Sequence, residues 1–499
     1  MAVPPDAQTT AAGGEDDRAD EEEHAGGAAD AQPLSGRCDA AGDADDGDLP
    51  EMLELIDAAE EADGIAGLVA VIRNIGRRIR ATPSDRDLLS DFEGISHICR
   101  ALSSPPHDWQ GDAMLAFCRV MPDICRTSVV NRGSLRDEGF LAASVELLRS
   151  ATSAGDEASA SAACTALAAM CTANDGNKKA AAQLWAETDP AALDAVETST
   201  ASAETPTKSN GLVLLLNALG RFADSVSVQT EGISALVALV TDDDPRTRGD
   251  QSSSAARENR EVATSDAGFP FFGAVVERAL ATAEESKQAQ VKLREQTLLL
   301  LREISRRHDR VEALAFGAKL LSRVTACIEA EDPRLVRASL AVLRNFAVVE
   351  EVRDEIAMLS DVAQNCISVV RKHIATPAVC EQGFGLFANL TMRKSPIAAK
   401  LNEGEQGIVA VGLLVIRQHK SRPDVMRSVV HTLRNAATQD DAICQEVRDS
   451  DAFEEVRAMV RLHEAEARWR APVDIARQFL REFRADEGME KKAQYNAFY

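Results

Sequence analysis

Pro333, Pro377 and Pro423 are separated by 44 and 46 residues, and each is followed twelve positions later by an asparagine: Asn345, Asn389 and Asn435. A shared period with a shared pair of residue types marks a chain built from repeated supersecondary units, each too small to bury its own apolar face. Proline at the first helical position wastes no hydrogen bond and already has the φ a helix needs. Asp332 and Thr376 stand before two of the prolines as natural N-caps. A helix is therefore predicted to start at each proline.

Counted from the proline, position +3 holds Val336, Cys380 and Met426; +7 holds Leu340, Phe384 and Val430; +10 holds Leu343, Phe387 and Leu433. These offsets fall on one face of a 3.6-residue helix, so they predict a buried stripe. Position +14 is small throughout, Ala347, Thr391 and Ala437, as suits close helix packing. The stripe recurs without the proline in Leu298, Leu301, Ile304 and Ser305, in Val213, Leu216, Leu219 and Gly220, and in Cys164, Leu167, Met170 and Cys171. At least six units are expected, with degenerate ones before Ala151. Further apolar helices are read over His308–Ile328 and Ser227–Val240. Several helices in about 42 to 46 residues is the period of HEAT and armadillo arrays. The fold class predicted is an all-α right-handed solenoid whose concave surface is lined by the helices that start at the prolines.

Composition agrees and adds exclusions. Only 4% of the 499 residues are aromatic, and the apolar set is mostly Ala, Leu and Val, which disfavours an all-β fold. The net charge of -25 argues against capture by phosphate backbones or anionic membranes, so no direct nucleic-acid or membrane partner is expected. Fourteen acids against two arginines put -12 of that charge in residues 1–50, which have almost no large apolar side chains. They are expected to be a disordered tail. The solenoid is assigned to 51–485, with polar loops at 198–210 and 241–268 and a C-terminal tail at 486–499. The longest apolar run, Gly407 to Ile416, is about half a membrane span. Ten cysteines without a CxxC suit a reducing compartment and predict core packing rather than a metal or disulfide framework. With no secretory or transit pattern, the expected location is the cytoplasm, with the nucleus as the alternative.

The strings VLRNFA (Val342 to Ala347), LFANLT (Leu386 to Thr391) and TLRNAA (Thr432 to Ala437) resemble the third helix of armadillo repeats. Thr376 to Ser395, Val429 to Gln439 and TDDDPR (Thr241 to Arg246) are more narrowly similar to the armadillo repeat-containing protein 6 family, over about Gly211 to Phe483. The resemblance implies an armadillo solenoid that binds proteins and has no catalytic residues.

In armadillo families that hold extended peptides, the asparagine contacts the ligand backbone and a tryptophan four residues earlier packs its side chains. Those earlier positions are Ala341, Gly385 and His431, which argues against transport of nuclear-localisation signals. Two roles fit Asn345, Asn389 and Asn435: tying adjacent units together, or contacting a ligand. Beside them, positions +4 and +11 hold Arg337, Glu381 and Arg427, then Arg344, Ala388 and Arg434. Two readings fit this set as well, a solvated helix face or a groove for an acidic partner; residues 391–434 carry eight Lys and Arg against three acids. There is no GxxxxGK[ST], GxSxG or HExxH, so neither an enzyme nor a cofactor is expected. The functional expectation is a scaffold or adaptor that takes an extended, acidic or polar protein segment along Arg337, Arg344, Asn345, Asn389, Arg427, His431, Arg434 and Asn435. A nuclear-transport or chromatin adaptor is the alternative.

Overall fold

The computed structural model describes residues 49–483, except 63, 105–108, 110, 185–210, 243–253, 266–268, 282–287, 307–310, 318, 360–361, 393–394 and 404–406. The tail expected over 1–50, up to residue 48, the loop at 198–210 and the tail at 486–499 lie outside the described residues. Described secondary structure is entirely helical.

A helix pair, α1 (Leu49–Glu60) and α2 (Gly64–Ala81), opens the array, and α1 begins inside the segment assigned to the tail. The next three units are α3 (Asp85–Asp91), α4 (Gly94–Ser103) and α5 (Gly111–Cys125); α6 (Val129–Asp137), α7 (Phe140–Ala154) and α8 (Glu157–Cys171); and α9 (Asp175–Leu184), α10 (Gly211–Arg221) and α11 (Val226–Val240). They are followed by α12 (Ser254–Ala263), α13 (Phe269–Ala281) and α14 (Gln288–Ile304). A unit with only α15 (Leu320–Ala326) and α16 (Pro333–Phe346) comes next, its first helix replaced by a π-helical turn at Ala313–Gly317. The last three units are α17 (Glu350–Met358), α18 (Val362–Lys372) and α19 (Pro377–Leu390); α20 (Ser395–Leu401), α21 (Ile408–Gln418) and α22 (Pro423–Gln439); and α23 (Asp441–Asp449), α24 (Ala452–His463) and α25 (Arg470–Glu482).

The long third helices α2, α5, α8, α11, α14, α16, α19, α22 and α25 form one uninterrupted stack, each packed on the one before and after. Their first residues lie 47, 46, 69, 62, 45, 44, 46 and 47 positions apart, so the period holds except in the two units that contain 185–210 and 243–253. Pro333, Pro377 and Pro423 are each the first residue of a third helix, and Asp332 caps α16 by accepting the Arg334 N–H at 2.8 Å. Thr376 precedes α19 but makes no side-chain cap bond.

All nine predicted stripe residues at +3, +7 and +10 are fully buried, as are Ala347, Thr391 and Ala437. The same offsets from the starts of α5 and α8 fall on Met114, Cys118, Met121 and Cys125, and on Ala160, Cys164, Leu167 and Cys171, all buried. The cysteines seven apart are thus core filler on third helices, and burial pushes the Cys118 and Cys125 thiols up to about 12. All nine described cysteines are free and buried.

Three expectations are corrected. Val213 and Gly220 are exposed on α10, a second helix; the third helix of that unit is α11, with Ile233, Leu236 and Val240 buried. Both segments carry a helical apolar period, and period alone does not rank two neighbouring helices. The region 241–268 is not one continuous loop, because α12 lies inside it. Its buried apolar residues are the alanines Ala255, Ala256 and Ala263, beside buried Asn259 and Arg260, so no large apolar side chain betrays the stripe. The continuous helix read over His308–Ile328 is also broken, with Lys319 in the left-handed region between the π-helical turn and α15.

First helices supply the caps of the array. Asn131 on α6 donates to the carbonyl of Ile124 at the end of α5 and to that of Arg86 on α3, at 3.0 and 3.2 Å. Asn177 on α9 repeats this one unit on, donating to Met170 and Arg132 at 2.9 Å each. Asn259 on α12 donates to Leu239 of α11 at 3.0 Å. The basic neighbours Lys178 and Arg260 reach the Thr241 and Val240 carbonyls at 2.5 and 2.7 Å. Terminal carbonyls of a helix lack intrahelical partners and favour positive charge, so a buried amide beside a buried cation suits them. The pairs Asn131–Arg132 and Asn177–Lys178, 46 residues apart, were a readable sign of the N-terminal units.

Candidate functional site: the outward face of the third helices

The stack of third helices leaves one face that is not used for packing. All eight residues singled out from the sequence are on α16, α19 and α22, successive members of that stack, and all are half-buried.

The asparagines tie units together. Asn345 Nδ2 donates to the Arg302 carbonyl at 2.9 Å and to Ser305 Oγ at 3.1 Å, Asn389 Nδ2 to the Arg344 carbonyl at 2.8 Å, and Asn435 Nδ2 to the Ala388 carbonyl at 3.0 Å. Each bond reaches the same place one unit back, next to the preceding asparagine column. Among the described residues, the Oδ1 atoms of all three accept no hydrogen bond. In α14 that column is held by Glu303, which is buried and pairs with Arg302 and Arg306 at 2.6 and 3.0 Å. Arg306 and buried Arg260 both reach buried Asp242, so the described part of the Asp-rich string is bound into the fold.

Three of the four arginines have acidic partners, of which only Glu381 stood in the columns read from the sequence. Arg337 faces Glu295 of α14 at 3.6 Å, Arg344 faces Glu381 of α19 at 3.9 Å, and Arg434 grips Glu482 of α25 through two bonds. Further back, Lys292 of α14 pairs with Glu231 of α11 at 2.8 Å. Ion pairs thus join α11 to α14, α14 to α16, α16 to α19 and α22 to α25. Among the described residues Arg427 makes no ion pair.

Gly385, in the column where peptide-holding armadillo families carry tryptophan, lets Arg344 lie flat on α19: a Cβ there would sit 2.7 Å from Arg344 Nε. Burial holds the His431 imidazole below its ordinary range, and the guanidinium groups of Arg434, Arg427 and Arg344 add to this. Burial raises the Glu381 carboxyl, Asp424 adds to the rise, and Arg344, Arg337 and Arg427 oppose it. The sequence columns therefore meet in one electrostatic cluster spanning α16, α19 and α22.

A second concavity of about 390 Å3 lies among α5, α8 and α11, lined by Arg119, Glu157, Ala158, Ser161, Ala162, Thr165 and Ser227. Ser161 and Ser227 share a hydrogen bond of 2.7 Å across it, and Ser225 donates to Glu157 at 2.6 Å. Its small residues make a notch in the third-helix face. Among the described residues no helix is long and apolar enough to cross a membrane.

No protein-family model matches the sequence, and no curated protein does. Among solved structures, the chain resembles an engineered protein with a TM-score of 0.50 and 14% identity, over 87% of this chain and 99% of that one. A structure reported for the phosphorylation switch that controls the interaction between cadherin and beta-catenin gives a TM-score of 0.49 and 15% identity, over 86% of this chain and 68% of that one. The likeness to the engineered protein is one of fold alone; with the three-helix units and the stack of third helices, it makes the chain an armadillo-like α-solenoid.

Proposed function

We propose that this protein is a non-enzymatic scaffold or adaptor that holds an extended, acidic or polar protein segment along α16, α19 and α22. The observation that carries this reading is the division of labour within Asn345, Asn389 and Asn435. One N–H of each is spent on the unit before, which fixes the side chain, while Oδ1 is left without a protein partner among the described residues. An amide held rigid at one atom and open at another is preorganised to bond a passing backbone at low entropic cost. Half-buried Arg427 and His431 add side-chain selectivity between the amides. The closer likeness to the armadillo repeat-containing protein 6 family and a cytoplasmic location belong to the same reading.

The test combines crosslinking with mutation. Partners captured from cells by photo-crosslinkers on α19 and α22 are to be identified and rebound as purified segments. Asn389→Ala with Asn435→Ala should weaken that binding while the chain stays folded. Equal binding by the double variant would leave the asparagines with a structural role only.

A further inference from the structure

Of the ion pairs that join one third helix to the next, the one made by Glu381 is the longest, at 3.9 Å. Glu482 receives two short bonds from the Arg434 guanidinium, at 2.6 and 2.8 Å. Glu381 sees Arg344 only at 3.9 Å, and its one hydrogen bond among the described residues comes from the neutral Gln382 amide at 3.1 Å. The Arg344 guanidinium is itself diverted, with Nη1 donating to Gln382 Oε1 at 3.3 Å. Even so, the Glu381 carboxylate lies within the field of three arginines, Arg337, Arg344 and Arg427, from three consecutive third helices. Arg337 also meets Glu295 at 3.6 Å, so the cations around this place are shared between the half-buried Glu381 carboxylate and Glu295.

Resting on the reading above, we infer that Glu381 is a built-in competitor: its carboxylate occupies the place among Arg337, Arg344 and Arg427 that an anionic side chain of the bound segment takes. A carboxylate or phosphate entering from the partner would meet the arginines directly and displace Glu381, which gives up only one neutral hydrogen bond and one long ion contact. The groove is thereby selective for an anion and partly masked against weak ones, since any entrant must outcompete a charge tethered beside the site.

Titration supports this arrangement. Glu381 is raised from the ordinary glutamate value of 4.5 by burial and by Asp424, against Arg344, Arg337 and Arg427. His431 is lowered from 6.5 by burial and by Arg434, Arg427 and Arg344; of these, Arg434 is itself paired with Glu482. Falling pH removes the competitor's charge and adds one to His431. Both changes make the groove more positive towards an anion that keeps its own charge.

The test uses the full chain and three fluorescein-labelled ten-residue peptides of alternating serine with glutamate, glutamine or phosphoserine, followed by fluorescence anisotropy. Glu381→Gln is expected to tighten the glutamate or phosphoserine peptide roughly three- to five-fold relative to wild type, the scale of one exposed charge pair, and to leave the glutamine peptide unchanged. Glu381→Asp, which keeps the charge, should bind as wild type does, and Arg427→Gln should weaken both anionic peptides. Whichever anionic peptide gains more in Glu381→Gln identifies carboxylate or phosphate as the source of the ligand charge. If wild type binds an anionic peptide and Glu381→Gln gives no gain, or an equal gain for the glutamine peptide, the competitor is ruled out while the groove stands. If no variant binds any of the three peptides, both the competitor and the anion-binding groove fall.

Discussion

Arg434 on α22 and Glu482 on α25 are joined as two parallel forks, Nε to Oε2 at 2.6 Å and Nη2 to Oε1 at 2.8 Å. The planar guanidinium matches a carboxylate in this geometry, and the pair links the last two third helices. Arg434 is therefore committed within the chain, unlike Arg427 two turns earlier, which makes no ion pair among the described residues. Because both side chains keep partial solvent access, Glu482→Gln should cost no more than about 1 kcal/mol while freeing Arg434. Chemical denaturation should show that small loss, and it should shrink as salt rises.

Leu433 is fully buried in the stripe of α22. Leu433→Ala opens a cavity between stacked helices and should cost roughly 2 to 5 kcal/mol. A melting temperature equal to that of wild type would contradict the packing described for the third helices.

Asn177 is fully buried and its amide serves two carbonyls of the unit before. Asn177→Ala leaves both without that donor, and each buried group left unsatisfied costs about 1 to 3 kcal/mol. Hydrogen exchange should rise first at the end of α8 and in α9, where the cap is lost. Uniform exchange along the chain would mean that the cap is not local.

Asp156 and Asp332 cap α8 and α16. The Asp156 carboxyl is lowered from its ordinary 3.8 by bonds from the Ser159 hydroxyl, then the Ser159 and Ala158 amides; Asp332 is lowered chiefly by its bond from Arg334. A carboxylate lowered in the folded state stabilises it above the unfolded value, and this contribution disappears as pH falls through the folded value. Asp156→Asn should thus be less stable than wild type at neutral pH, with the gap closing below about 3.8. Denaturation at pH 7 and below that value checks the sign.

Cys118, Cys125, Cys164 and Cys171 are sealed in the third-helix stripes, and reagents attack the thiolate, which burial disfavours. Iodoacetamide followed by peptide mapping should leave these four unmodified in native buffer and label all four in denaturant. Native labelling at any of them would show that its helix opens.

The C-terminal units were readable because their signals are local. A proline at the first helical position and an apolar residue at +3, +7 and +10 depend only on backbone geometry within one helix. Glycine, glutamate, valine or glutamine begins α2, α5, α8, α11 and α14, so the same stripe runs there without its marker. That is why α10 was ranked above α11. The helix within 241–268 stayed hidden for a related reason, since alanines at buried positions leave little apolar contrast.

The sequence by itself determined the unit length, the helix starts at Pro333, Pro377 and Pro423, the buried stripe, and which residues share a column. Only the tertiary structure decided what those columns do. Whether Asn389 reaches Arg344, or Arg344 meets Glu381 while Arg427 makes no ion pair among the described residues, depends on how consecutive third helices superpose. Groups about forty residues apart become neighbours through that stacking, so that Glu295 meets Arg337, Glu381 meets Arg344 and Glu482 meets Arg434. A repeat column reports what one helix presents, whereas a charge is neutralised by what the next helix brings against it.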